Sequence, residues 1–339
     1  MSGPVLVTGA SGFIGAYTAA ALLERGHRVR ATVSGPHRIP AVRAALGGLV
    51  DGGDDVEVVV ADLNDPDAWT SAAAGCTDVV HLASPLPVEQ PKDPNELIGP
   101  ARDGALRVLD AARRADVRRV VMTSSAAAIA GSRIDTSYRV FTEADWTDLD
   151  EPNVSPYNQS KTIAERAARD DVSANGGPEF ATVNPGLVLG PVARPEVNTS
   201  VEVVYRLMAG KVPMVPNVGF DIVDVRDVAD LHVLALERED ADGGRFPATT
   251  EFLWFTDIAG ILRDELGDRA RKVPTRRAPD LLVRALALVD GGIKTILPEL
   301  GQHRTLSSQT SIDRLGWSPR PARESVVDCA ESLLAHDLV

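Results

Sequence analysis

The sequence predicts an α/β fold built on a doubly wound parallel sheet, with a smaller C-terminal lobe against it. Three observations lead there. Short apolar runs alternate with helix-period segments through the first half of the chain, and a glycine-rich turn joins the first run to the first helix. The 339 residues, 44% hydrophobic and 24% charged, suffice to bury a substantial core. Alternating strands and helices imply parallel strands joined by right-handed crossovers.

Val5-Leu6-Val7 reads as a short buried strand, residues 14–25 as a helix and 28–33 as a second strand. Apolar runs at 56–60, 79–82, 119–122 and 180–183 extend the sheet, with 105–114 among the intervening helical segments. Pro191 and Pro195 interrupt the pattern, after which 201–209 looks helical. Asp227 is placed to cap a helix over 228–237. Residues 246–249 read as a strand returning to the sheet, and 255–266 as another helix. The stretch 281–289 carries Arg284 and is too short for about 30 Å of hydrocarbon, so a buried or cap helix is expected.

A net charge of −13 argues against a nucleic-acid partner, which would need a basic stripe to displace counterions. The pairs Arg113-Arg114 and Arg118-Arg119 read as a solvated helix end, and 269–277 as a surface loop. Cys76 and Cys329 are far apart, and the six histidines show no metal-ligand spacing. No metal is expected, the setting reads as a reducing cytoplasm, and His81 reads as structural. No basic leader precedes an apolar run, so neither a secretory signal nor a membrane partner is expected.

Thr8-Gly9-Ala10-Ser11-Gly12-Phe13-Ile14-Gly15 follows the first strand and opens the first helix. One glycine permits the tight turn, one admits a pyrophosphate to the backbone N–H groups, and one lets helix and strand pack closely. The spacing predicts a dinucleotide site over Gly9, Ser11, Gly12, Phe13, Ile14 and Gly15. Residues 1–185 then form the dinucleotide-binding half, with elements returning from about 221–250, and 186–339 mostly a substrate-binding lobe. At the end of the second strand no acid occurs, while Ser34 and Arg38 could hold a 2′-phosphate. NADPH is therefore expected over NADH. Asp62-Leu63 either approaches the adenine amine or, through Asp62, starts the helix before Asn64-Asp65-Pro66.

Ser155-Pro156-Tyr157-Asn158-Gln159-Ser160-Lys161 carries the chemistry. Ser155 suits an N-cap and Pro156 the first helical position. Tyr157 and Lys161 then share one helix face. A phenol ordinarily titrates at about 10, and a nearby ammonium lowers that value. Random placement of four tyrosines and five lysines would produce roughly 0.06 such pairs. Met122-Thr123-Ser124-Ser125-Ala126 ends a predicted strand and offers a hydroxyl to a carbonyl oxygen.

These three signals together resemble the extended short-chain dehydrogenase/reductase family, in particular its dihydroflavonol reductase and aldehyde/ketone reductase branch. Further motifs carry the likeness nearly end to end: Ala61-Asp62-Leu63, His81-Leu82-Ala83-Ser84-Pro85, Asn184-Pro185-Gly186, Val223-Asp224-Val225-Arg226-Asp227-Val228-Ala229 and Leu315-Gly316-Trp317-Ser318-Pro319-Arg320. The resemblance implies that Tyr157 is the general acid, that Lys161 binds the nicotinamide ribose, and that Ser125 polarises the carbonyl. It places Pro185 and Gly186 near the nicotinamide, and Ala83 and Ser84 along the cofactor cleft.

The chain also departs from its relatives. Phe220 stands where nucleotide-sugar epimerases carry an arginine, and Val33 where they carry an acid. Ala130 replaces the flavonoid-gripping asparagine of dihydroflavonol reductases. Cinnamoyl-CoA reductases have an aromatic-rich stretch that Val154-Ser155-Pro156 lacks. Ser34 sits where other NADP-binding relatives place an arginine. Leu86, Pro87, Val88, Ile129, Leu187, Tyr205, Met208, Met214, Val215 and Phe220 are candidates for an apolar pocket wall. The expected activity is NADPH-dependent reduction of a ketone or aldehyde by a monomer or homodimer. A nucleotide-sugar epimerase or dehydratase, and a non-catalytic dinucleotide sensor, remain the alternatives.

Overall fold

A computed structural model describes residues 3–62, 65–84, 93–134, 138–152, 154–288 and 296–339. Its strands are β1 (Val5–Thr8), β2 (Val29–Val33), β3 (Glu57–Val60), β4 (Asp78–His81), β5 (Arg119–Thr123), β6 (Arg139–Phe141), β7 (Glu179–Pro185), β8 (Leu187–Leu189), β9 (Gly219–Asp224), β10 (Arg245–Ala248), β11 (Glu251–Trp254) and β12 (Arg304–Leu306). Seven of them form one parallel sheet in the order β10-β7-β5-β4-β1-β2-β3. From β1 the chain winds outward through β2 and β3, then crosses back to β4 and continues the other way. That reversal opens a crevice at the carboxyl edge between β1 and β4, where ligands bind in such sheets.

Alternate strand residues point to opposite faces, and both faces are covered. Val5, Val7, Val80 and Val121 join a core with the helices Phe13–Glu24, Ile39–Leu49 and Val225–Glu237. Leu6, Val79 and Val120 join a second core with the helices Asn95–Arg114 and Pro156–Asn175. Burial on both sides explains why these strands read as continuous apolar runs.

A third core gathers the later chain: Leu189, Val204, Leu207, Ile258, Leu262, Val326 and Leu333. Here β9 pairs with β8 in parallel and with β11 antiparallel, while β12 pairs in parallel with β6. No helix among the described residues is long and apolar enough to cross a membrane.

Three local expectations are corrected. Asp224, not Asp227, caps the Val225–Glu237 helix, accepting from Arg226 N at 2.9 Å. Asp227 lies inside the first turn and instead accepts from Arg320 N at 2.8 Å. Arg119 is no solvated helix end: it is 1% exposed in β5 and bonds Glu179 at 2.7 Å and the carbonyls of Ala235 and Leu236. It thereby satisfies carbonyls that the last turn of a helix leaves open. The helix Asp280–Leu286 buries Val283 but leaves Leu281 exposed, and Val289 lies outside the described residues.

Candidate active site

At the end of β1 the chain turns into the Phe13–Glu24 helix. Gly9 has φ +68°, and a Cβ there would sit 2.9 Å from Ala83 N. At Gly15 a Cβ would be 2.3 Å from Gly9 O, so no larger residue lets helix and turn approach this closely. Gly12, the N-cap, makes no side-chain cap, and the first turn carries no acid. Its N–H groups therefore suit a phosphate rather than a capping side chain. Thr8 ties the turn to the end of β4, its Oγ1 accepting from Leu82 N and Ala83 N at 3.0 Å each. The same hydroxyl meets His81 Nδ1 at 2.8 Å. Burial and the Lys161 charge push His81 down to about 3, leaving a neutral structural ring.

The other cofactor residues expected from sequence border the same edge. Ser34 and Arg38 are exposed just beyond β2, Arg38 ending the single turn Pro36–Arg38. Asp62 is exposed beyond β3. It does not start the following helix, because Asp65 caps Pro66–Ala73 through bonds to Asp67 N and Ala68 N. Ala83 and Ser84 follow β4, while Pro185 ends β7 and Gly186 follows it. Leu63 lies outside the described residues, as do Leu86, Pro87 and Val88.

Ser155 caps the Pro156–Asn175 helix as expected, accepting from Asn158 N at 3.1 Å. From its first turn Tyr157 donates to Ser125 Oγ at 3.4 Å. One turn later the buried Lys161 donates to Ser84 Oγ at 3.0 Å, with its Nζ 5.9 Å from the centre of the Tyr157 ring. Ser125 Oγ also accepts from Ala127 N at 3.1 Å, which fixes its rotamer.

The electrostatics differ from the sequence expectation. Burial raises the Tyr157 phenol above its ordinary value, and the bond to Ser125 offsets this only in part. The Lys161 ammonium is engaged by Ser84 and is itself pushed down by burial to about 8, against the opposing pull of Glu165.

Sequence reasoning missed Glu165, one further turn along the same face. Its fully buried carboxylate accepts from Ser124 Oγ at 2.5 Å, Asn184 Nδ2 at 2.8 Å, Thr182 Oγ1 at 3.2 Å and Arg245 Nε at 2.6 Å. Arg169 adds a contact at 3.3 Å. Burial alone would raise this carboxyl, but Arg245, Arg169 and the hydrogen bonds outweigh it and hold Glu165 below the usual range. Because Ser124 precedes Ser125 and Asn184 precedes Pro185, the carboxylate ties the ends of β5 and β7 to the tyrosine helix. The repeated four-residue spacing from Tyr157 through Lys161 to Glu165 was the available signal.

Beside Tyr157 opens a cleft of about 400 Å³. Pro185, Gly186, Leu187 and Phe220 line it near Ser125, and Asp221, Glu299, Gln302 and Arg304 supply polar groups. Of the described candidates for its wall, Leu187 and Phe220 belong there. Met208 and Val215 are buried in the third core, Ile129 in a small core with Phe141, and Tyr205 and Met214 pack against cores. Among the described residues no cluster of three His, Cys, Asp or Glu side chains could hold a metal.

The model of the NAD dependent epimerase/dehydratase family matches residues 5–246. The chain belongs to this family. It is thus an extended short-chain dehydrogenase/reductase, an NAD(P)-dependent oxidoreductase. Its relatives within the family include cinnamoyl-CoA reductase CAD2 of Medicago truncatula, 37% identical over 77% of this chain and 80% of that protein. Dihydroflavonol 4-reductase of Zea mays is 31% identical over 77% of this chain and 74% of its own length. The solved structure of Gre2 from Candida albicans in complex with NADPH superposes with a TM-score of 0.81 at 26% identity, covering 98% of this chain and 99% of that one.

Proposed function

We propose that this protein reversibly reduces a ketone or aldehyde to the alcohol with NADPH, using Tyr157 as the proton donor and Ser125 and Lys161 in support. The observation that carries this reading is the meeting of Ser125, Tyr157 and Lys161 at the carboxyl edge of the sheet, beside a cleft with an apolar wall. Two hydroxyls 3.4 Å apart can both donate to one carbonyl oxygen between them, and preorganised donors of this kind stabilise the charge that develops there.

A phenol whose pKa is raised by burial is protonated at neutral pH, which suits a general acid. Its proton passes to the carbonyl oxygen as the carbon receives a hydride. NADPH, when bound, supplies that hydride. The phenolate left behind is stabilised by Ser125 and the nearby Lys161 charge, then regains a proton from water.

The choice of NADPH is supported by the exposed Arg38 and the absence of an acid at the end of β2, and by the Gre2 structures, which contain that cofactor. The reductase reading is supported by cinnamoyl-CoA reductase among the relatives and by a yeast methylglyoxal/isovaleraldehyde reductase of 26% identity and TM-score 0.80. In this reading residues 1–185 form the dinucleotide half and 186–339 mostly the substrate lobe.

The test is NADPH consumption, followed by its near-ultraviolet absorbance, over aldehydes, aryl ketones, ketoesters and diketones. Turnover in at least one class is expected. No consumption, together with epimerisation or dehydration of a nucleotide sugar, overturns the reading.

A further inference from the structure

Between β8 and the Glu202–Met208 helix, residues 190–201 run past the glycine turn. This segment is pinned at two points: Tyr17 donates to Pro191 O at 2.9 Å, and Val192 N donates to Ser332 Oγ at 2.9 Å. The pinning sets Arg194 against the turn, where its Nη2 donates to Ser11 O at 2.7 Å. The same nitrogen meets Glu196 Oε2 at 3.0 Å. Its Nε and Nη1 make no hydrogen bond to the described residues, so two donors of a guanidinium stand ready at the mouth of a helix.

We propose that Arg194 binds the pyrophosphate of the dinucleotide, adding a charged contact from the segment after β8 to the backbone N–H groups of the glycine turn. A pyrophosphate brings two negative charges to a helix N-terminus that holds no acid and no capping side chain. Guanidinium N–H groups make charge-assisted hydrogen bonds to phosphate oxygens, and the bond to Ser11 O orders the side chain in advance. Glu196 is 66% exposed on its side chain, so its pairing with Arg194 is weak in water and yields to the doubly charged group. Arg38 is exposed beyond β2, where its proposed role is to meet the 2′-phosphate and not the pyrophosphate.

Affinity for the cofactor separates these roles. Titration of the full-length protein with NADPH and with NADH, read by nicotinamide fluorescence, gives the two Kd values. Arg194→Gln is expected to raise both by the same factor, about tenfold, since a charge-assisted pair contributes on the order of 1.4 kcal/mol or more. Glu196→Gln, which frees the guanidinium from its counter-ion, is expected to tighten both by about twofold, since an exposed pair is worth well under 1 kcal/mol. Unchanged Kd values for Arg194→Gln, or a loss confined to NADPH, overturn the proposal, and so does weaker binding by Glu196→Gln. The proposal rests on the dinucleotide and not on which carbonyl is reduced. A protein that binds cofactor but reduces nothing leaves it standing, and its failure leaves the role of Tyr157 untouched.

Discussion

Lys161 spends its hydrogen bond on Ser84, 3.0 Å away at the end of β4, and not on Tyr157. The contact joins the Pro156–Asn175 helix to the strand end that borders the crevice at the carboxyl edge of the sheet. Ser84→Ala removes a neutral acceptor from a buried cation whose pKa burial has already pushed down to about 8. Hydrogen bonds to charged groups are worth about 1.5–3 kcal/mol. The expected result is a rise of about tenfold in KM for NADPH, with a smaller fall in kcat. A variant whose two constants match the wild type would show that Ser84 does not hold the lysine.

Tyr157→Phe deletes one hydroxyl while leaving the ring. Turnover is expected to drop by about 10²–10⁴, the usual worth of a positioned general acid, with the Kd for NADPH nearly unchanged. Ser125→Ala leaves the acid in place and removes one donor to the carbonyl, so its loss is nearer about 10²-fold. Steady-state kinetics paired with cofactor titration separate these outcomes. Residual activity in Tyr157→Phe comparable to the wild type would assign the proton to another group.

The pH dependence follows from Lys161 and Glu165. Lys161 loses its charge as pH rises through about 8, so kcat for reduction is expected to fall on the alkaline side of that value. His81, the other titratable side chain coupled to the lysine, is neutral throughout. Glu165 opposes the effect of burial on Lys161, so Glu165→Gln lowers the lysine pKa further and moves the alkaline limb to lower pH. It also strips Arg245 and Arg169 of their shared carboxylate, at a cost of about 3–5 kcal/mol in stability. A destabilised variant whose limb stays in place would confine Glu165 to holding β5 and β7 to the helix.

Legibility in the sequence tracked how local each feature is. Tyr157 and Lys161 could be paired because one helix period decides their spacing, and Gly9 to Gly15 because the turn is contiguous. The sign of the Tyr157 shift was not local: spacing brings an amine near, but burial by distant elements wins. Glu165 continues the same helical face, yet its anionic state depends on Arg245, 80 residues away. Asp221 and Arg304 meet from β9 and β12, and no periodic pattern links them. Asp224 and Asp227 lie three residues apart at one helix start, either is a plausible cap by type, and only the first reaches the N–H two residues on.

Cofactor preference tests the loop after β2. Wild-type protein is expected to use NADPH at least about tenfold more efficiently than NADH, one charge-assisted phosphate contact being worth that factor. Arg38→Ala should narrow the gap by raising KM for NADPH alone. Equal kcat/KM values for the two cofactors in the wild type would remove the role given to Arg38.

Asp221 offers a test through stability. Its carboxyl is 8% exposed in β9: Oδ2 accepts from Leu306 N at 2.8 Å, while Oδ1 meets no donor among the described residues. Burial pushes it up to about 7, against the Leu306 bond and the Arg304 charge. In the unfolded chain an aspartate titrates at about 4. Between those values the native state binds more protons than the unfolded one, so stability falls as pH rises through that window. Above it both states are ionised and the cost is constant, up to roughly 4 kcal/mol for a shift of about three units. Asp221→Asn keeps an oxygen for Leu306 N and removes the ionisation. Its Tm should exceed that of the wild type at pH 8, and the difference should shrink or reverse by pH 4.5. A gap that stays the same across that range would mean that Asp221 carries no displaced titration, and that its buried oxygen costs the fold nothing through charge.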